Sequence, residues 1–129
     1  MTAPRVIRLV IADDQALVRG ALGALLDLED DVEVVGLAES GPDALRLVAE
    51  TSPDVCLMDI QMPGLDGIET TRRLRAASTD TRVLIVTTFA RPGYLRSALD
   101  AGASGFIAKD TPAEQLADAV RRVHAGLRV

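Results

Sequence analysis

Residues 55–67, VCLMDIQMPGLDG, hold a short apolar run that ends on one carboxylate, Asp59, and continues at once into a turn rich in proline and glycine. A short apolar run bounded by turn residues is typical of a strand buried in a parallel sheet. Asp59 is therefore either a solvated loop acid or a reactive group at the tip of a buried strand. The rest of the chain must decide between these two interpretations.

Four more runs rich in β-branched residues begin at residues 6, 32, 82 and 105. Each of them predicts a strand, and stretches with helical spacing lie between them. Alternating strands and helices predict βαβ units in a parallel sheet, and right-handed crossovers place helices on both faces. We therefore predict an α/β fold with one domain, in which a doubly wound, five-stranded parallel sheet is flanked by five helices.

Two of the predicted helices carry an apolar face. The residues that share a face are Leu17, Ala21, Ala24, Leu25 and Leu28 in the first helix, and Leu116, Val120, Val123 and Leu127 in the last. Periodicity of this kind predicts that both faces pack against the sheet. Gly102 is expected to end the fourth helix, because glycine is favoured just past a helix terminus.

Two helix starts carry capping signals. Ser40 stands three residues before Asp43 and predicts an N-cap. Thr111 and Glu114 have the spacing of a capping box, with Pro112 at the first helical position. The second and fifth helices are therefore expected to begin at these residues.

Composition limits the class of protein. The chain has 129 residues, of which 48% are hydrophobic and 26% charged, as expected for one globular domain. Its net charge of −5 argues against direct binding to nucleic acid. No apolar run is long enough to span a membrane, and no signal peptide precedes the first acidic pair, so we expect a cytoplasmic protein. Cys56, the single cysteine, is expected in the core.

Polar and charged side chains follow the predicted strands. In open parallel sheets, functional groups collect beyond the carboxyl ends of the strands. The groups at these ends are Asp13, Asp14, Asp59, Thr87, Thr88 and Lys109. Because three carboxylates in one crevice repel one another, we predict a divalent cation, and an all-oxygen ligand set favours Mg²⁺. His124, near the end of the last helix, is not expected to be a ligand.

The same edge carries groups suited to phosphoryl transfer. A carboxylate can attack phosphorus and form an acyl phosphate, so Asp59 is a candidate phosphoryl acceptor. Lys109 is the only lysine among 14 basic residues, and its ammonium would neutralise phosphoryl oxygens. Thr87 would orient one of them.

Four motifs in order, ADD, MDIQMPGLDG, VTT and GASGFIAKD, resemble those of bacterial response-regulator receiver domains over nearly the whole chain. The wording of the last two is most similar to the NarL/FixJ (LuxR-type) subfamily. The resemblance implies a flavodoxin-like topology over residues 1–129. It also implies that Asp59 is the phosphoacceptor and Asp14 a direct Mg²⁺ ligand, that the backbone carbonyl of Gln61 completes the protein's share of the metal ligands, and that Asp13 acts through metal-bound water.

The resemblance also implies a switch. Thr87 would close on the phosphoryl group, Lys109 would pair with it, and Phe106 would repack when Thr87 moves. Pro63 and Gly67 would shape the turn after the acceptor.

Positions 110 and 89 depart from the commonest family pattern, and position 89 lies where water would reach the phosphoryl group. Asp110 follows Lys109 where many receivers have proline, so we expect a trans peptide bond there. Phe89 is bulky and apolar where water would approach the phosphoryl group, and we expect it to slow phosphate loss.

The implied function is a phosphorylatable switch rather than a metabolic enzyme, although the domain assists its own phosphorylation and dephosphorylation. The implied partners are a sensor histidine kinase and, after phosphorylation, a second copy of the chain. DNA would be reached only through a helix-turn-helix effector domain absent from this chain, with transcription as the output. A stand-alone single-domain regulator and a non-phosphorylated pseudo-receiver that only dimerises remain alternatives.

Two other classes fit less well. A haloacid-dehalogenase-type phosphatase requires a second acid two residues after the nucleophile, where this chain has Gln61. A flavin-binding flavodoxin requires a neutral phosphate loop after the first strand and aromatic residues around the flavin. This chain offers acids there, and only 2% of its residues are aromatic.

Overall fold

Strands and helices alternate along the chain as the apolar runs predict. The computed structural model describes residues 6–77, 79–88 and 92–129. The strands are β1 (Ile7–Ala12), β2 (Val32–Ala38), β3 (Val55–Met58), β4 (Arg82–Thr87) and β5 (Gly105–Ala108). The helices are α1 (Ala16–Asp27), α2 (Gly41–Thr51), α3 (Gly67–Ala76), α4 (Tyr94–Asp100) and α5 (Ala113–His124).

All strand pairs are parallel, and the order across the sheet is β2-β1-β3-β4-β5. The chain direction across the sheet reverses after β2, since β3 pairs with the other side of β1. This reversal opens a crevice beyond the carboxyl ends of β1 and β3, which is where parallel sheets bind ligands. The predicted topology is confirmed, and it brings the ends of the two acid-bearing strands side by side.

Side chains of the inner strands point alternately into two cores. One core joins residues such as Val10, Met58 and Ile85 to helices α2, α3 and α4. The other joins residues such as Leu9 and Leu57 to helices α1 and α5. Both faces of the sheet are therefore covered, which explains why the strands read as continuous apolar runs. Cys56 lies fully buried in the first core, as predicted.

The predicted apolar face of α1 is wrong. Leu17 and Leu28 are 87% and 76% exposed, and Leu25 is exposed as well, as are Ala21 and Ala24. The helix instead buries Gly23 and Leu26. Because α1 is apolar on more than one side, periodicity alone could not select the face, and packing against the sheet and α5 decided it.

The predicted face of α5 is confirmed at Leu116, Val120 and Val123, which are all buried. The prediction that Leu127 shares this buried face is wrong, because the helix ends at His124 and Leu127 is exposed.

The observed helix caps agree only in part with those predicted from the sequence. The Ser40 side chain accepts a hydrogen bond from the Asp43 N–H, as predicted. The predicted capping box of α5 is wrong: Pro112 is the N-cap residue, not the first helical residue, and no side chain in the described part of the chain caps this helix. Pro112 has an extended ψ of 146°, which starts the helix one residue later than predicted. Gly102 follows α4 with φ +101°, so the predicted helix stop is confirmed.

Candidate functional site

Three carboxylates meet at the crevice between β1 and β3. Oxygen atoms of Asp13, Asp14 and Asp59 all lie within 4.8 Å of one another. Asp13 and Asp59 are buried, whereas Asp14 is exposed. The Asp59 N–H donates to the Ala12 carbonyl at 3.0 Å, which extends the pairing of β3 with β1 and fixes Asp59 beside the acidic pair. The predicted convergence of the strand-end acids is therefore present.

The turn after Asp59 requires glycine at position 67. A Cβ atom there would lie 1.9 Å from the Asp59 carbonyl oxygen, closer than any side chain allows. Gly67 also donates its N–H to the Ile60 carbonyl at 2.9 Å. The start of α3 is thus held against the backbone of Asp59. This helix is capped by Asp66, whose side chain accepts from the Glu69 N–H.

Lys109 brings a positive charge from beyond β5. Its Nζ lies 2.5 Å from Asp13 Oδ2 and 3.1 Å from Asp59 Oδ2. The backbone N–H of Lys109 donates to the Thr87 carbonyl at 2.9 Å, which ties the loop after β5 to the end of β4. The peptide bond to Asp110 is trans, as predicted. Sequence reasoning placed Lys109 at the site, but it did not identify the pairing with Asp13.

Burial dominates the electrostatics of the site. Burial raises the pKa of Asp59 above its ordinary value, and the hydrogen bond from Lys109 opposes this shift only in part. Burial also disfavours the charged form of Lys109, but its bonds to Asp13 and Asp59 outweigh this effect and raise the pKa of the amine. The ionised Asp59 therefore lacks full compensation by the protein. A cation beside it would supply the missing charge.

A cavity of about 470 Å³ opens above the carboxylates. Among the described residues, its lining consists of Asp14, Gln15, Asp59, Gln61, Met62, Pro63, Thr88 and Lys109. The sequence singled out most of these positions, but it missed Gln15 and Met62, which carry no chemical signal of their own. The fit to a metal follows from the donors, since carboxylate and carbonyl oxygens suit a hard divalent cation such as Mg²⁺.

Thr87 does not line this cavity. It is the last residue of β4 and is buried, whereas the neighbouring Thr88 faces the opening. Phe106 lies on β5 and is partly buried against the first core. Phe89 lies outside the described residues.

Two other candidates stand apart from the cavity. His124 ends α5, with Nε2 3.9 Å from Oδ1 of Asp54, the residue before β3. Asp54 lies at the amino end of β3, whereas Asp59 lies at its carboxyl end. Complete burial raises the pKa of the Cys56 thiol to about 12, so its thiolate is not formed near neutral pH.

Comparison with known proteins gives one family. The model of the response regulator receiver domain matches residues 9–121. The transcriptional regulatory protein DesR of Bacillus subtilis (strain 168) is 50% identical over 123 residues, which cover 95% of this chain and 61% of DesR. The uncharacterized transcriptional regulatory protein YvfU of the same strain is 48% identical, with 95% of this chain and 62% of YvfU covered. The chain thus spans about three fifths of these two relatives.

Solved structures agree. The signal receiver domain of the putative response regulator NarL from Mycobacterium tuberculosis superposes with a TM-score of 0.92 at 36% identity, covering 95% of this chain and 99% of that one. A two-component response regulator of the LuxR family from Aurantimonas sp. SI85-9A1 gives a TM-score of 0.90 at 34% identity, covering 95% and 88%.

Within the described ranges, the helices are too short or too polar to cross a bilayer. The fold, the acidic crevice with its lysine and the family match over residues 9–121 agree with one another. The chain belongs to the response regulator receiver domain family.

Proposed function

We propose that this receiver domain is a phosphorylation switch whose acceptor is Asp59. The observation that supports this most directly is the contact of Lys109 with a buried carboxylate that borders an open cavity. The Asp59 backbone bonds to β1 and packs against Gly67, and Asp59 borders the cavity that an incoming phosphoryl group would enter. A positioned nucleophile with a neighbouring ammonium suits phosphoryl transfer, which depends on alignment and charge neutralisation.

The transfer step forms one bond and breaks one. A carboxylate oxygen of Asp59 attacks phosphorus, and an O–P bond forms to give an acyl phosphate. The P–N bond of a donor phosphohistidine breaks, and the imidazole leaves with the electron pair and takes a proton from water. Lys109 neutralises a phosphoryl oxygen during the transfer and contacts the phosphoryl group afterwards.

Mg²⁺ would be held by Asp14, by Asp59 and by the backbone carbonyl of Gln61, with Asp13 acting through water. When bound, the ion supplies positive charge that offsets the charge of the phosphoryl oxygens. The same residues assist loss of the phosphoryl group by water, so the domain takes part in both its phosphorylation and its dephosphorylation.

The switch is proposed to run from Thr87 to Phe106. The Thr87 hydroxyl donates to a phosphoryl oxygen, and its movement opens space into which the Phe106 ring turns. Phe106 lies on β5 between α4 and α5, so this movement changes the surface formed by these three elements. Phosphorylation then biases two packings of the same core.

The partners follow from the relatives and from one surface. DesR and YvfU are described as transcriptional regulatory proteins, so we propose that the domain acts in the cytoplasm and controls transcription through a DNA-binding effector domain. Its phosphoryl donor is a sensor histidine kinase, and phosphorylation promotes a homodimer. The exposed Leu17 and Leu25 of α1 and Leu28 at its C-cap form an apolar stripe, and α1 begins two residues after the acidic pair. We propose that the kinase docks on this stripe.

Intact-mass measurement after incubation with acetyl phosphate and Mg²⁺ tests the acceptor. The parent chain should gain one phosphoryl group, and Asp59→Asn should gain none. Asp118→Asn is the matched control, because Asp118 is an exposed acid on α5, away from the cavity. It should be phosphorylated like the parent.

Chelation with EDTA should abolish the mass gain of the parent. A gain that persists in Asp59→Asn would move the acceptor to another residue. No gain in the parent with Mg²⁺ present would favour a pseudo-receiver.

A further inference from the structure

The chain reverses direction after α5 through a Schellman motif. The Leu127 N–H donates to the Arg122 carbonyl, and the Gly126 N–H donates to the Val123 carbonyl. Gly126 has φ +91°, in the left-handed region that this motif requires. This turn directs residues 127–129 back toward the sheet.

Residues 127–129 reach the outer edge of β5. The Val129 N–H donates to the Ser104 carbonyl at 3.3 Å, and the Val129 carbonyl accepts from the Phe106 N–H at 3.2 Å. Two bonds from one residue to the two neighbours of Gly105 follow the pattern of a parallel ladder. Strand β4 pairs with the other edge of β5, so β5 lies between β4 and residue 129.

The contact fits at the level of side chains as well. A Cβ atom at Gly105 would lie 3.0 Å from the Val129 Cβ and 2.8 Å from Leu84 Cδ1. Glycine at position 105 therefore leaves the space that the valine occupies. Val129 is half-buried and packs against the core shared with α1 and α5. An open sheet edge carries unpaired backbone groups, and this contact satisfies two of them.

We propose that the outer edge of β5 is a docking surface for residues 127–129, and that these residues form a latch which loosens when the receiver is phosphorylated. The second half of this inference rests on the proposed function. The latch holds the backbone of Phe106, the same residue whose ring is proposed to turn. It therefore carries the state of the phosphorylation site to the C-terminal segment.

The direction of the effect follows from the order of the elements. Thr87 ends β4, and Val129 lies on the opposite side of β5. If the Phe106 backbone follows its ring toward Thr87, β5 moves closer to β4 and away from Val129. The two hydrogen bonds to Val129 then lengthen. Because coupling between sites is reciprocal, removal of the latch also favours the phosphorylated packing.

Amide hydrogen exchange measured by NMR tests the latch in the resting protein. Deletion of residues 127–129 should speed exchange of the Phe106 amide by at least about tenfold, because its acceptor is lost. Val129→Pro removes the donor to Ser104 but keeps the carbonyl that accepts from Phe106, so in a chain of 129 residues it should speed Phe106 exchange by less than the deletion does. Val129→Ala retains both backbone groups and is the matched control.

Amides of β1 and β3 should exchange as in the parent in all three variants, which shows that the sheet is intact. If Phe106 exchanges equally fast with and without residues 127–129 in this intact sheet, there is no latch. Should the deletion variant fail to fold, the Val129→Pro and Val129→Ala pair decides the same question.

Beryllofluoride with Mg²⁺, a phosphoryl mimic, tests the coupling. Exchange of the Phe106 amide should rise by about threefold or more in the parent, as expected when a hydrogen bond weakens. It should not change in Asp59→Asn. The deletion variant should bind beryllofluoride about threefold more tightly than the parent, by reciprocity.

The two proposals fail differently. If resonances of Asp59 and Lys109 shift with beryllofluoride but Phe106 exchange stays constant, the coupling is wrong and the proposed function stands. If no resonance shifts at all, the proposed function fails and the coupling with it. The comparison of the deletion variant with the parent still decides whether the latch exists.

Discussion

The ammonium of Lys109 lies 3.1 Å from a carboxylate oxygen of Asp59, although 50 positions separate the two residues in the chain. The same ammonium lies 2.5 Å from Asp13. One cation from beyond β5 thus holds two buried acids from the ends of β1 and β3. It is already in place beside the oxygen that we propose as the nucleophile.

Replacing Lys109 with glutamine should slow phosphorylation of Asp59 by acetyl phosphate by about 10²–10³-fold, the range found when one preorganised donor is removed from a reacting site. Lys109→Arg should remain slower than the parent, because a planar guanidinium does not reproduce the position of a compact ammonium in a space closed by Asp13. Time-resolved intact mass gives both rates. A Lys109→Gln variant that is folded and phosphorylates as fast as the parent would contradict the assigned role.

Alanine variants of Thr87 and Thr88 should show which of the two hydroxyls transmits phosphorylation to Phe106. Thr87→Ala should still be phosphorylated, but the Phe106 resonances should no longer respond to beryllofluoride, since the proposed donor is missing. Thr88→Ala should keep the Phe106 response, because Thr88 lines the cavity and is not the proposed donor. NMR spectra of both variants with and without the mimic make the comparison. The opposite result, with the response lost only in Thr88→Ala, would transfer the switch role to Thr88.

The leucine stripe of α1 should matter for the kinase and not for a small donor. Leu17→Ser and Leu28→Ser should each lower the rate of transfer from a histidine kinase by about fivefold or more, the loss expected for an interface residue worth over 1 kcal/mol. Phosphorylation by acetyl phosphate should be unchanged. Leu95→Ser is the matched control, because Leu95 is equally apolar and 53% exposed but lies on α4. Equal kinase transfer by all three variants would exclude the stripe as the docking surface.

Alanine should have opposite effects at two glycines. Gly67→Ala should lower the free energy of unfolding by about 3 kcal/mol or more, since the new Cβ overlaps the Asp59 carbonyl and the backbone must move. Gly20→Ala should raise it by about 0.5–1 kcal/mol, because Gly20 is helical and, apart from its own helix backbone and chain neighbours, no described atom lies within 4 Å of the new Cβ. Urea denaturation measures both values. A neutral effect at position 67 would show that the turn after Asp59 can relax.

Acid should weaken one ion-pair cluster. Arg121 bonds to Asp31 and Glu29, and its hydrogen bond to Asp31 holds the pKa of that carboxyl below its ordinary value. Because the pKa of Asp31 is lower in the folded state, the ion pair stabilises the fold at pH values above the ordinary pKa of the carboxyl. This contribution is lost as the pH falls through the lowered pKa. Arg121→Gln should therefore cost about 1 kcal/mol or less at pH 7, as exposed pairs do. The cost should shrink toward zero as the pH falls below about 4.

Denaturation across this pH series provides the measurement for Arg121. Arg122→Gln is the control, because Arg122 is exposed and makes no ion pair within the described residues. A pH-independent difference between parent and Arg121→Gln would show that packing, rather than charge, explains the effect.

The fold and the acidic site were predictable because both depend on local patterns. Apolar runs marked the strands, and the acids stand where those runs end. Prediction from the sequence failed where the local pattern was compatible with two structures, as at the buried face of α1 and the start of α5. The first helix offered apolar residues on several sides, and packing buried Leu26 rather than Leu25. At α5 the backbone of Pro112 delayed the helix start, against the capping pattern of Thr111.

The sequence by itself determined the parallel α/β sheet and the chemical groups at its carboxyl edge, because hydrophobic period and chain order specify which residues follow each strand. Only the tertiary structure decided that Lys109 pairs with Asp13 as well as Asp59, that Gly67 packs against the Asp59 carbonyl, and that Val129 returns to the edge of β5. The physical reason is that each of these contacts joins residues brought together by the packing of separate elements. Their distances depend on how those elements pack, and no periodicity within a single segment encodes them.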